Sequence, residues 1–285
     1  MGPSRTAGYV ALFRAIENAR PADRRLFADP YAAGFLDPGS IVVAGLSGLP
    51  GFRSLIPKAI DRRYPASRLP VIVRTPMIDE AVASALSEGA SQLAVLGAGY
   101  DMRALRLPEA KRAKVFELDQ PATQERKTAR LQKMMNGALP ANVTYVPFDL
   151  EDEGVGEPLG RAGFVSGRLS VVVWEGVISY LTPDAVDSTV AWFSEECAPG
   201  SRLVFTYVDI SRFGSGGSAG DKVPWGDDVA KVGEPFKFGF DPAALPAYMS
   251  ERGLDLDWDR STAEGPGGAK APAFYRVAQA SVAAR

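Results

Sequence analysis

The chain contains no histidine. That excludes a Ser-His-Asp triad, a Cys-His pair, an HExxH zinc site and any imidazole general base. It holds one cysteine, Cys197, so an internal disulfide framework and a multi-thiolate zinc site are both excluded, and a reducing cytoplasm is the expected location. Cys197 itself reads as an inert core residue late in an amphipathic helix. No apolar run approaches the roughly 20 residues of a membrane span. The opening MGPSRTAGYVALFRAIENAR lacks the charge, apolar and cleavage order of a signal peptide. No Lys/Arg block stands out against a net charge of -2, so nucleic acid has no electrostatic footprint. The expectation is therefore no nucleic acid partner, no membrane and no metal. Chemistry is left to carboxylates, Arg, Lys, Tyr, Ser/Thr or a cofactor.

What is present is ordinary for a globular protein with a sizeable core: 285 residues, 46% hydrophobic and 23% charged. From about Ser91, short β-like runs alternate with helical patterns. SQLAVLGA, AKVFELD, NVTYVPFDL, LSVVVWEG and SRLVFTYVD read as buried strands. Residues 121–137 and 182–200 read as helices, the second with Thr182 as N-cap, Pro183 at its first position and Gly200 past its end. DPAALPAYMSERG, LDLDWDRST and AFYRVAQAS read as a helix and two closing strands. Such alternation predicts an α/β fold around a mainly parallel sheet, with its ligand beyond the carboxyl ends of the strands where their order reverses.

Residues 1–90 are mostly helical in character, with LFADPYAAGFL and MIDEAVASALSEG as amphipathic pieces, and are assigned as a cap within the same domain. Residues 91–285 form the expected core. Within it, about 210–240 is rich in Gly and aromatics and is expected to be a lid.

The chemistry gathers at VLGAGYDMRALRL, where an apolar run stops at Gly97-Ala98-Gly99 and Asp101 follows. A nicotinamide fingerprint would need a third glycine, but Met102 stands there, and no P-loop pattern is present. Asp119 ends the next strand, 20 residues after Gly99, where a carboxylate reaches ribose hydroxyls in dehydrogenases and methyltransferases alike. The third and fourth strands end at Asp149-Leu150 and at Glu175. A Gly-rich turn followed by three acids at successive strand ends describes a ligand rim better than scattered solubilising charges do. Arg103 and Arg106 read as packing and capping groups near the turn.

VRTPMIDE, VLGAGYDMRALRL, FELDQP, PFDLE, WEGVISYLTPDAV and GEPFKFGFDP together resemble the leucine carboxyl methyltransferase-type family of S-adenosylmethionine enzymes, over roughly residues 70–280. The resemblance implies a class I methyltransferase fold, a Rossmann-like seven-stranded sheet with helices on both faces. It implies that Arg74 holds the methionine carboxylate, that Gly97 and Gly99 face the methionine part, and that Asp119 binds ribose. Asp149 and Leu150 would take adenine, and Glu175 the methionine ammonium. Members more usually carry R-T-R-F-I-D, D-T-R and A-E-G where this chain has Arg74 to Asp79, Asp101 to Arg103 and Trp174 to Gly176. Tyr180, five residues past Glu175, is the candidate catalytic side chain facing the acceptor; a buried aromatic is the equal alternative.

The function so implied is O-methylation, with a carboxylate of a small natural-product-like acid of secondary metabolism as the preferred acceptor. An O-methylated phenol and a cofactor-binding protein without turnover are the rivals. A nicotinamide dehydrogenase is disfavoured by Met102. Oligomeric state, monomer or homodimer, is left open.

Overall fold

The computed structural model describes residues 4–64, 67–151, 154–213, 237–266 and 271–284. Four helices precede the sheet: α1 (Arg5–Asn18), α2 (Pro38–Ser47), α3 (Phe52–Arg63) and α4 (Arg68–Ser87). Alternation follows, with β1 (Gln92–Leu96), α5 (Arg103–Arg106), β2 (Lys114–Asp119), α6 (Pro121–Met134), β3 (Val143–Pro147), α7 (Gly156–Arg161), β4 (Ser170–Trp174), α8 (Pro183–Glu196) and β5 (Arg202–Val208). The described chain closes with α9 (Leu245–Ser250), β6 (Leu254–Ser261) and β7 (Tyr275–Val282).

The seven strands order as β3-β2-β1-β4-β5-β7-β6. β1 pairs in parallel with both β2 and β4, whereas β7 runs antiparallel between β5 and β6. The order therefore reverses beside β1, and the carboxyl ends of β1, β2 and β4 frame the crevice expected there. Side chains alternate across the sheet. Leu93, Val95, Val115, Val171, Val173 and Val204 join one core with Val73, Ile78 and Val82 of α4. Leu96, Phe116, Leu118, Trp174 and Phe205 join the other with Val186, Val190 and Phe193 of α8. Helices thus cover both faces. Because both faces are buried, β1 and β4 read as continuous apolar runs rather than alternating ones.

Thr182 caps α8 by accepting from the Ala185 N–H, and Pro183 occupies the first turn as predicted. LFADPYAAGFL departs from expectation: only Ala32–Phe35 forms a single 3₁₀ turn. The Asp29 carboxylate accepts from the N–H groups of Tyr31 and Ala32 at 3.2 and 3.1 Å, and this local turn replaces a continuous helix. Pro76 lies inside α4 without ending it. Of the expected lid at 210–240, residues 214–236 lie outside the described residues. Its two ends meet the body where Asp209 bridges to the buried Phe240.

Candidate active site

The turn after β1 carries Gly97 and Gly99 at φ of 64° and 47°, left-handed conformations that L side chains rarely adopt. At Gly97 there is no room for a side chain either, since an added Cβ would stand 2.3 Å from Cγ2 of Val177. Val177 belongs to the segment after β4, so the turns after β1 and β4 are in direct contact. The Gly99 N–H donates to Oδ2 of Asp119 at 2.5 Å, tying the glycine turn to the end of β2. Burial raises the Asp119 carboxyl above its ordinary range, against the lowering effect of that N–H and of Lys127.

Gln120 links the next acid, its Nε2 donating to Oδ2 of Asp149 at 3.1 Å, while the Glu151 N–H donates to Oδ1. Leu150 beside them is buried. Asp119, Asp149 and Leu150 thus line up along the ends of β2 and β3.

Glu175, one residue past β4, is the centre of a buried ion network. Its Oε1 accepts from Nε of Arg74 at 2.7 Å and its Oε2 from Nη1 of Arg103 at 2.6 Å. Arg103 is wholly buried and also donates to Asp101 and, at 2.8 Å, to Asp79. Arg106 reaches the same Asp79. Arg74 donates a second bond to the Tyr275 hydroxyl at 2.6 Å, and Tyr275 lies 3.2 Å from Oγ1 of Thr206, which accepts from the Gly176 N–H. Burial alone would raise the Glu175 carboxyl, but the guanidinium groups of Arg103 and Arg74 override it and hold the group well below the usual carboxylate range. Asp101 is likewise raised by burial and more strongly lowered by Arg103 and Arg14.

Helix α1 closes one side of the crevice. The Ser4 N–H donates to Oγ1 of Thr123 at the start of α6, Ala7 packs over Gly99, and Arg14 donates to the Tyr100 carbonyl at 2.9 Å.

The structure brings together seven of the eight residues singled out in the sequence. Arg74 and Glu175 are bonded to each other, Gly97 and Gly99 form the turn, and Asp119, Asp149 and Leu150 continue the rim. Tyr180 lies in the 3₁₀ turn Ile178–Tyr180, half-buried, three residues past Val177. Sequence reasoning missed the weight of Arg103, which holds Glu175 and is shared with Asp101 and Asp79, and missed Tyr275 and Thr206 altogether. Asp101, Arg103 and Asp79 lie inside the quoted motifs, so an ion-pairing reading was open. Tyr275 and Thr206 lie on strands with no local signal.

Seven strands in this order, with a glycine turn after β1 and acids closing β2 and β4, define a class I methyltransferase. The fold is similar to that of a crystal structure described as a putative methyltransferase from Thermobifida fusca, at a TM-score of 0.59 and 16% identity over 94% of this chain and 97% of that one. The chain belongs to the leucine carboxyl methyltransferase family, whose profile matches residues 7–194. A protein of Streptomyces coelicolor assigned by inference as an S-adenosyl-L-methionine-dependent methyltransferase is 33% identical over 218 residues, 75% of this chain and 74% of its own length. One from Frankia alni with the same description is 32% identical over 246 residues, 81% of this chain and 83% of its own. The protein is an S-adenosylmethionine-dependent methyltransferase.

Two outcomes test this architecture. Arg103→Met leaves Asp79, Asp101 and Glu175 short of their shared cation, and urea unfolding at neutral pH should show a loss of about 3–5 kcal/mol. Asp101 and Glu175 have folded pKa values below their unfolded ones. The stability they contribute is present above about pH 4 and lost as pH falls; in Arg103→Met that acid-induced loss should be shallower. Gly97→Ala should cost about 2–5 kcal/mol, from the left-handed backbone and the Val177 clash together. Adding Val177→Ala should relieve the clash and leave a backbone cost of about 1–2 kcal/mol relative to Val177→Ala alone.

Proposed function

We propose that the enzyme transfers the methyl group to oxygen, and that the acceptor is a carboxylate of a small acid. The observation that carries this reading is a site crowded with paired ions in a chain without histidine. A carboxylic acid is already ionised at neutral pH, with a pKa of about 4, and needs no base; a phenol, at about 10, calls for one.

The residues fit S-adenosylmethionine. Its amino-acid end carries one carboxylate and one ammonium, matching the Arg74–Glu175 pair. Arg74 has five N–H donors, of which Glu175 and Tyr275 take one each, and each Glu175 oxygen can accept more than one bond. Asp119 takes the ribose hydroxyls, Asp149 the adenine amine, Leu150 the ring face, and Gly97 and Gly99 admit the methionine part. Bound there, the cofactor supplies an electrophilic methyl group on a sulfonium sulfur. The chain's own task is to orient an acid oxygen in line with that group and to exclude water, so positioning supplies most of the acceleration. Helices α1–α3 form the cap on the acceptor side, and Tyr180 contributes an orienting hydroxyl.

Asp119→Ala should weaken S-adenosylmethionine binding by about 1.5–3 kcal/mol in calorimetry, the worth of a charge-assisted hydrogen bond. Because the Asp119 carboxyl is raised by burial, the wild-type affinity should begin to fall on acidification while still above the ordinary range of about pH 4. Asp119→Asn should lack that dependence.

With candidate acids supplied, turnover should be nearly flat from about pH 6.5 to 8.5 and the product should be a methyl ester cleaved by mild alkali. A rate climbing about tenfold per pH unit with an alkali-stable ether would move the assignment to a phenol. Cofactor binding with no turnover on any acid or phenol would leave a binding protein.

A further inference from the structure

The α2–α3 hairpin does not behave like the rest of the surface. Ala44 and Ser47 turn α2 toward the body. At about 100° per residue, Val42 and Leu46 fall on the opposite side, where a surface helix ordinarily carries polar groups. α2 contains no charged residue (PGSIVVAGLS), and its outward side chains are open, Val42 being 59% exposed. The apolar surface runs on through Leu49 and Phe52 to Leu55 of α3, also 59% exposed, and α3 buries no residue at all. Seven exposed large apolar residues between Ile41 and Leu55 mark a contact surface rather than chance exposure.

Charge decides what it contacts. Arg53, Lys58, Arg62 and Arg63 are exposed around the patch on a chain whose net charge is -2. The one acid of α3, Asp61, is taken by the buried Arg68 through a two-bond pair at 2.8 and 2.7 Å. Asp37, the N-cap of α2, lies at the start of that helix, before the apolar stretch. Apolar side chains including an aromatic, rimmed by cations, suit an anionic lipid surface, into which a helix can lie without crossing. Among the described residues no helix is long and apolar enough to span a membrane. A second copy of the chain is a poorer occupant, since two-fold packing of the patch on itself would bring like cations together.

We propose that the α2–α3 hairpin docks the enzyme peripherally onto anionic bilayers, with Val42, Leu46, Phe52 and Leu55 entering the interface and Lys58, Arg62 and Arg63 at the headgroups. This revises the expectation of no membrane partner, which rested on the absence of a spanning segment. It does not depend on which acceptor is methylated.

The test is partitioning of the full chain into vesicles of phosphatidylcholine alone and of phosphatidylcholine with phosphatidylglycerol in equal parts. Binding is expected to the second only, and added salt should weaken it. Lys58→Gln with Arg62→Gln should lower partitioning about twentyfold or more, at about fivefold per cation. Val42→Ser with Leu55→Ser should lower it at least about tenfold, since each methylene withdrawn from the interface counts about fourfold. Both pairs lie on the surface and should leave thermal unfolding unchanged. No binding to the anionic vesicles, or binding that neither pair alters, would overturn the proposal. So would a wild-type dimer in sedimentation that Val42→Ser with Leu55→Ser converts to a monomer, because the patch would then be a contact between copies.

Discussion

A carboxylate buried between two guanidinium groups is unstable alone and stable only as a set. Glu175 meets Arg74 and Arg103, Arg103 meets Asp101 and Asp79, and Arg106 shares Asp79. Removing charges from water is costly, and the mutual attraction compensates only when geometry and remaining hydrogen bonds are satisfied. The glycine turn, α4 and the end of β4 therefore have to arrive in fixed relation. Most of the site's shape follows from that requirement. Gly176, at φ of 72°, belongs to the same logic, since a Cβ there would come within 3.1 Å of Nη2 of Arg74.

The network also divides labour between groups that look alike in sequence. Glu175 is held ionised by arginines, whereas Asp119, beside a backbone N–H and one lysine, is shifted the other way by burial. One acid is a fixed charge over a wide pH range. The other is tuned closer to neutrality. In the proposed reading the fixed charge faces an ammonium and the tuned one faces neutral hydroxyls, so each environment suits its partner's chemistry.

Much of this was legible in the chain itself. All seven strands were readable because β-branched and aromatic residues cluster in short runs bounded by turn residues, as in SVVVW. The rim was readable because the acids fall at strand ends, where the fold has to place them. LFADPYAAGFL misled because its apolar spacing is helical, while Asp29 and Pro30 impose a turn that spacing does not report. α2 was not singled out for the converse reason: its apolar outward face removes the ordinary amphipathic stripe, while Pro57 inside α3 reads as a break. Tyr275 and Thr206 were invisible because their roles depend on β7 inserting beside β5, a pairing between residues 69 apart in sequence.

That long-range pairing has a consequence for folding. Tyr275, at the first position of β7, is bonded to Arg74 and is set beside Val208 by the sheet register. A chain in which β7 has not yet docked carries every acid and glycine of the rim, yet the hydroxyl that bonds Arg74 is not beside it. Arg74 thus gains its second hydrogen bond only with the long-range β5–β7 pairing, so the far strand of the sheet and the buried ion network lock together in one step.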